Sequence, residues 1–111
     1  MDKLATYRQT IESVLTEYAE IPYSYADLKS HVIVSRDANH YLLMTLGWER
    51  DVKVHACIVH IEISNEKIWI HRDGLEDGIA LELVAAGIPK HDIVLAFHSP
   101  EIRPYTEFAV N

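Results

Sequence analysis

The chain has 111 residues, 49% of them hydrophobic and 24% charged, with 17 acids against 10 bases and a formal charge of −7. That length suits one domain able to bury roughly two-thirds of its unfolded surface, and the composition excludes an intrinsically disordered chain. The acidic balance, with no two Lys or Arg residues adjacent, argues against strong direct nucleic-acid binding. A single cysteine, Cys57, excludes an internal disulfide and fits a reducing, cytoplasmic setting.

In chain order, Leu4, Tyr7, Ile11, Val14, Leu15 and Tyr18 recur at steps of three and four, which predicts an amphipathic helix ending before Pro22. Arg8 and Glu12 are spaced to pair one turn apart on its wet side. Ile21 to Ser30 reads as a polar loop with a helical turn near Ala26. From His31 the residues turn β-branched and aromatic, predicting a short strand through Val32 and Val34, a turn at Arg36-Asp37-Ala38-Asn39 and a second strand from Tyr41 to Trp48. Glu49-Arg50-Asp51 turns the chain into a long third strand, Val52 to Ser64. Asn65-Glu66 then makes a tight hairpin to a fourth strand, Lys67 to Arg72.

The third strand changes phase. Val52, Val54, Ala56 and Ile58 share one face, whereas Val59, Ile61 and Ile63 share the other, so a bulge near Ile58 or burial on both faces is required. Asp73 and Glu76 have capping-box spacing for a second helix, with Asp77 near its positive end and Ile79, Ala80, Leu83, Val84 and Ala86 as its buried stripe. Gly87 and Pro89 close that helix. Ile93 to Phe97 reads as a buried fifth strand, and Tyr105 to Val110 as a last extended segment. The expected fold is α+β: a mainly antiparallel five- to six-stranded sheet, built from a four-strand meander plus a strand after the second helix, with an N-terminal helix, all in one domain.

The densest polar stretch is WIHRDGLEDG, Trp69 to Gly78. Its His71-Arg72-Asp73 matches the start of a kinase catalytic loop, but the metal-holding Asn five residues on is replaced by Gly78, and the chain is far too short for a kinase. Capping and the helix dipole account for Asp73, Glu76 and Asp77. His71 shares a strand face with Lys67 and Trp69, and Arg72 shares the other with Ile68 and Ile70, so a regular strand points the two bases apart. His55, Cys57 and His60 offer a weak metal alternative without paired ligand spacing; a buried cysteine beside half-buried histidines is the simpler reading. The C-terminal FHSPEIRPYTEF alternates Phe97, Tyr105 and Phe108 with His98 and Arg103, material suited to contacts. No Gly-x-Ser-x-Gly, Walker-type or Gly-x-Gly-x-x-Gly motif occurs. The candidate partner- or ligand-binding residues are therefore His71, Arg72, His98, Arg103 and Tyr105, with no catalytic residue and no cofactor assigned. Seven histidines make charge sensitive to mildly acidic pH, and no apolar run is long enough to span a bilayer.

DKLATYRQTIESVLTEYA at the start and KIWIHRDGLEDGIALELVAAGIPKHDIVLAFHSPEIRPYTEFAV at the end resemble the XisI family, the fdxN element excision controlling factors of cyanobacteria and some other bacteria. The middle of the chain matches mainly through Trp48 and the strand around His60-Ile61. The resemblance implies control of DNA-element excision beside a recombinase and a companion factor, XisH, whose family looks endonuclease-like; it carries over no catalytic residues. With an acidic chain, action through an XisH-like protein partner within a homo- or hetero-oligomer is the expected mode. A nucleic-acid-processing subunit and a metal or small-ligand sensor are the alternatives.

Overall fold

The computed structural model describes residues 2–23 and 27–111. Its order is α1 (Lys3–Ala19), β1 (Asp27–Val34), β2 (His40–Glu49), β3 (Val52–Ser64), β4 (Lys67–Asp73), α2 (Ile79–Ala85) and β5 (Ile93–Leu95), with 3-10 turns at Lys90–Asp92 and Arg103–Tyr105. The strands lie side by side in chain order in one sheet; β1 to β4 pair antiparallel, and β5 runs parallel to β4 after the α2 crossover. The expected α+β class and four-strand meander are both present.

α1 starts where the Asp2 carboxylate accepts the Leu4 N–H at 3.1 Å. It then buries Tyr7, Ile11 and Leu15 against the sheet. Arg8 does not pair with Glu12 as the spacing suggested. Its guanidinium reaches the β1–β2 turn, donating to the Ala38 carbonyl (3.1 Å) and Asn39 Oδ1 (3.0 Å), because Ala38 at φ 58° turns that corner towards the helix. β1 begins at Asp27, within the stretch expected to be a loop. It is an edge strand whose inward residues Leu28 and Ser30 face Gly47 and Thr45. Ser30 and Thr45 share a hydroxyl hydrogen bond of 3.0 Å, so the inward face is partly polar and hid the strand's periodicity. The helical turn expected near Ala26 lies outside the described residues.

The β3–β4 hairpin is a two-residue turn with Asn65 and Glu66 both at positive φ, the backbone that matches the twist of the flanking strands. The phase change in β3 is a bulge. Leu43 pairs with Val59 but Met44 with Cys57, leaving Ile58 unpaired, so Ile58 and Val59 both face the core. From there inward Val59, Ile61, Ile68, Ile70, Ile79, Leu83 and Ile93 are fully buried, each stabilising by about 1.5–3 kcal/mol relative to exposure.

Asp73 caps α2, though not through a capping box. It ends β4, and its carboxylate accepts the N–H groups of Leu75 (3.2 Å) and of Ile79 (2.8 Å), the first helical residue. The helix starts later than the Asp73–Glu76 spacing implied, because Gly74 to Gly78 form a connecting loop. At the other end Gly87, at φ 107°, lets Ile88 and Gly87 donate to the Leu83 and Val84 carbonyls, closing the helix in a Schellman motif. β5 stops at Leu95, short of Phe97. Tyr105 to Val110 is not a regular extended segment: the prolyl turn Arg103–Tyr105 coils it, and only Ala109 bridges back to Val94.

α1 is tied to the β5 end by a buried polar knot. The Tyr7 hydroxyl donates to Asp92, which is 6% exposed, and Lys3 Nζ lies 3.4 Å from the same carboxylate. Burial and the adjacent Asp92 charge push the Tyr7 hydroxyl up to about 12. Burial by itself would raise the Asp92 carboxyl, but the Tyr7 and Lys3 hydrogen bonds outweigh it and hold it below its ordinary value. Asp92 thus contributes stability that is complete above about pH 4 and is lost as pH falls through its lower folded value. Tyr7→Phe should cost about 1–3 kcal/mol at pH 7, since Asp92 stays buried without its hydroxyl donor and keeps only Lys3. Urea unfolding at pH 7 measures it, and a change within a few tenths of a kcal/mol would contradict the knot.

Candidate functional site

Both helices lie on one face of the sheet. Along β2, Tyr41, Leu43 and Thr45 are buried beneath them, so alternation turns His40, Leu42, Met44, Leu46 and Trp48 to the opposite face. The register places Lys29, His31 and Ile33 of β1 on that face, and Lys53, His55, Cys57, His60 and Glu62 of β3. Among the described residues neither α-helix covers it, and only its β4 margin is met by the C-terminal 3-10 turn, where Arg103 lies over Trp69. Ile33 and Trp48 are 47% and 48% exposed, and the Lys53 ammonium sits 5.4 Å from the Trp48 ring.

A second bulge decides what β4 adds. Ile61 pairs with Ile70 but His60 with Arg72, leaving His71 as the extra residue. Ile70 and Asp73 therefore face the helices, while His71 and Arg72 both turn to the open face. The expectation that these two bases point apart held only for a regular strand. Arg72 Nε donates to the Cys57 carbonyl at 2.7 Å, and the Gly74 N–H donates to the next carbonyl, that of Ile58, also at 2.7 Å. The two bulges thus meet: Arg72 of β4 and Gly74 just after it satisfy the successive carbonyls beside the irregularity in β3.

His71 joins a cluster. Its Nε2 lies 2.8 Å from Glu62 Oε1, and its ring centroid is 5.1 Å from that of His60. His60 Nε2 is in turn 3.1 Å from His40 Nδ1, and His40 Nε2 is 3.6 Å from Glu62 Oε2. Burial, then the neighbouring His71 and His40, lower the His60 pKa, with Glu62 opposing. The arrangement holds a neutral imidazole between two others, with one carboxylate serving the outer pair. It lies on an open face, and the side chains of His40 and His71 are 43% and 36% exposed.

The other candidate residues fall elsewhere. Arg103 organises the C-terminal segment: Nε donates to the His98 carbonyl at 3.1 Å, and its guanidinium lies 5.8 Å from the Trp69 ring. The His98 ring lies 4.6 Å from that of Phe97, tilted by 46°, and Tyr105, 87% exposed, projects from the 3-10 turn. His55, Cys57 and His60 share the open face but do not converge, as Cys57 Sγ turns to the Val59 carbonyl (3.4 Å) and His60 to His40. Among the described residues, no three His, Cys, Asp or Glu side chains have a geometry that could hold a metal ion. Sequence reasoning missed His40 and Glu62. Their signal was the alternation of His60 and Glu62 along β3, which needs the strand pairing before it points to His40.

Because the folded His60 binds its proton less tightly than the unfolded chain does, this group favours folding above its ordinary value near 6.5 and loses that contribution as pH falls towards the lower folded value. An NMR titration should give His60 a midpoint below 6.5, and urea melts of His60→Gln should fall less steeply between pH 7 and 5.5 than those of the parent. A His60 midpoint at or above the ordinary value would contradict the cluster.

Comparisons with known proteins bear on the chain as a whole. A family model described as XisI protein matches residues 1–110. No functionally curated protein matches. Among solved structures, a XisI-like protein from Anabaena variabilis ATCC 29413 is similar over 97% of this chain and 99% of its own, at 33% identity and a TM-score of 0.87. The fdxN element excision controlling factor XisI from the same organism is similar over 99% of this chain and 100% of its own, at 37% identity and a TM-score of 0.81. The shared architecture, near-complete coverage and family match lead to one conclusion: this chain belongs to the XisI family.

Proposed function

We propose that the chain is a non-enzymatic, cytoplasmic accessory factor that helps control excision of a DNA element, acting as a single domain through an XisH-like protein partner. Support for excision control comes from the relative named as an fdxN element excision controlling factor. The observation that carries the protein-partner reading is the helix-free sheet face, where Leu42, Met44 and Leu46 form a half-buried band between Ile33 and Trp48. An open antiparallel face is ordinarily polar, and a contiguous apolar band on one marks an association site. The formal charge of −7 disfavours tight DNA binding by this chain itself. No helix of the described residues is long and apolar enough to cross a membrane.

The His40, His60, His71 and Glu62 cluster favours a second reading, a small-ligand sensor. Its imidazoles already bond one another and Glu62, which makes it the weaker of the two.

Co-expression with the companion factor, followed by size-exclusion chromatography, should yield one stable complex of defined stoichiometry. Two separate peaks at micromolar concentration would overturn the partner reading.

A further inference from the structure

We propose that the helix-free sheet face docks a protein surface rich in carboxylates around an apolar centre. The inference rests on the protein-partner reading above and adds the face used and the chemistry of what it meets.

Charge is segregated between the two sides of the sheet. The helix layer is acidic, with Glu12, Glu17, Glu20, Asp77 and Glu82 all exposed. It carries two cations, Lys3 paired with Asp92 and Arg8 bonded to neutral oxygens of the β1–β2 turn, against those five acids. The open face has the opposite balance. Lys29, Lys53 and Arg72 are exposed there, as are His31, His55 and His71, and half-buried His40 and His60 bring five of the chain's seven histidines onto this face in register. Its acids are Asp27, at the start of β1, and Glu62, which His71 and His40 already hold. A chain of net charge −7 therefore turns its basic side to the face that also carries its uncovered apolar band.

That pairing selects among occupants. A second copy laid face to face would set Lys29, Lys53 and Arg72 against one another, and like charges directly opposed are destabilising. A single-stranded nucleic acid on a sheet needs open aromatic rings at its centre for bases to stack on. Here the centre is aliphatic: Leu42, Met44 and Leu46. The two tryptophans of the face are at its margins, Trp48 under Lys53 and Trp69 under Arg103. An apolar centre within a polar, charged rim is the anatomy of a non-obligate protein interface. Complementary rim charges speed association and fix orientation. Carboxylates opposite Lys29, Lys53 and Arg72, with an aliphatic patch over Met44, satisfy every feature of the face.

Two pairs of exposed substitutions separate the faces: Lys29→Glu with Lys53→Glu on the open side, and Glu17→Lys with Glu82→Lys on the helix side. Binding of each to the purified companion factor is measured by calorimetry, with circular-dichroism melts confirming that each variant is folded. The open-face pair should weaken Kd about tenfold or more, the helix-side pair by less than about twofold, and added salt should weaken the parent complex. Unchanged affinity of a folded open-face pair, or greater loss from the helix-side pair, overturns the inference while leaving the partner reading intact. No binding by the parent chain overturns both. A labelled 20-nucleotide strand or duplex that binds the parent and is lost with the open-face pair assigns the face to nucleic acid. A parent homodimer that the same pair dissociates assigns it to a second copy. Either result also overturns the inference.

Discussion

Two successive carbonyls, those of Cys57 and Ile58, are the point on which the molecule turns. A bulge in β3 frees them from the regular ladder, and an unpaired carbonyl in a sheet interior costs roughly 1–3 kcal/mol. β4 and the residue that follows it supply the donors: the Arg72 side chain and the Gly74 N–H. For it to do so, β4 needs an irregularity of its own, which is the extra residue His71. The β3 bulge doubles up residues on the core side, Ile58 and Val59, and the β4 bulge doubles them on the open side, His71 and Arg72.

Most of the polar architecture follows from that pair of irregularities. After the β4 bulge Asp73 faces the helices, where its carboxylate takes the first N–H of α2 and sets where that helix begins. His71, carried outward, comes within reach of Glu62 and His60, and through His60 of His40. Without the extra residue Arg72 would point into the helix layer among Ile68 and Ile70, an unpaired charge in an apolar setting. The basic character of the open face and the polar satisfaction of the core thus have one origin, and the proposed docking surface inherits its rim from a backbone constraint.

Part of this was legible in the residues. The β3 bulge could be read from Val52, Val54, Ala56 and Ile58 followed by Val59, Ile61 and Ile63, since seven apolar residues record both phases. The β4 bulge could not. After Ile70 the strand has only His71, Arg72 and Asp73, and no apolar residue beyond the irregularity marks the new phase. Asp73 was identified as a helix cap by its type, but spacing along the chain misplaced the helix because a through-space hydrogen bond, unlike a capping box, leaves no fixed offset. Arg8 had a partner one turn away by periodicity and found carbonyl and amide oxygens of the β1–β2 turn instead, contacts that only the docking of helix on sheet creates. Arg103 also folds its own segment by bonding the His98 carbonyl, a contact that its place in the sequence does not announce.

The most direct test of the paired-bulge constraint is the interstrand nuclear Overhauser pattern between β3 and β4 in isotopically labelled protein. The constraint predicts cross-strand contacts that pair Ile61 with Ile70 and then step by one, His60 with Arg72 and Val59 with Asp73. Contacts that pair His60 with His71 and Val59 with Arg72 would mean an unbroken ladder, and would contradict both the outward placement of Arg72 and the origin assigned to the basic face.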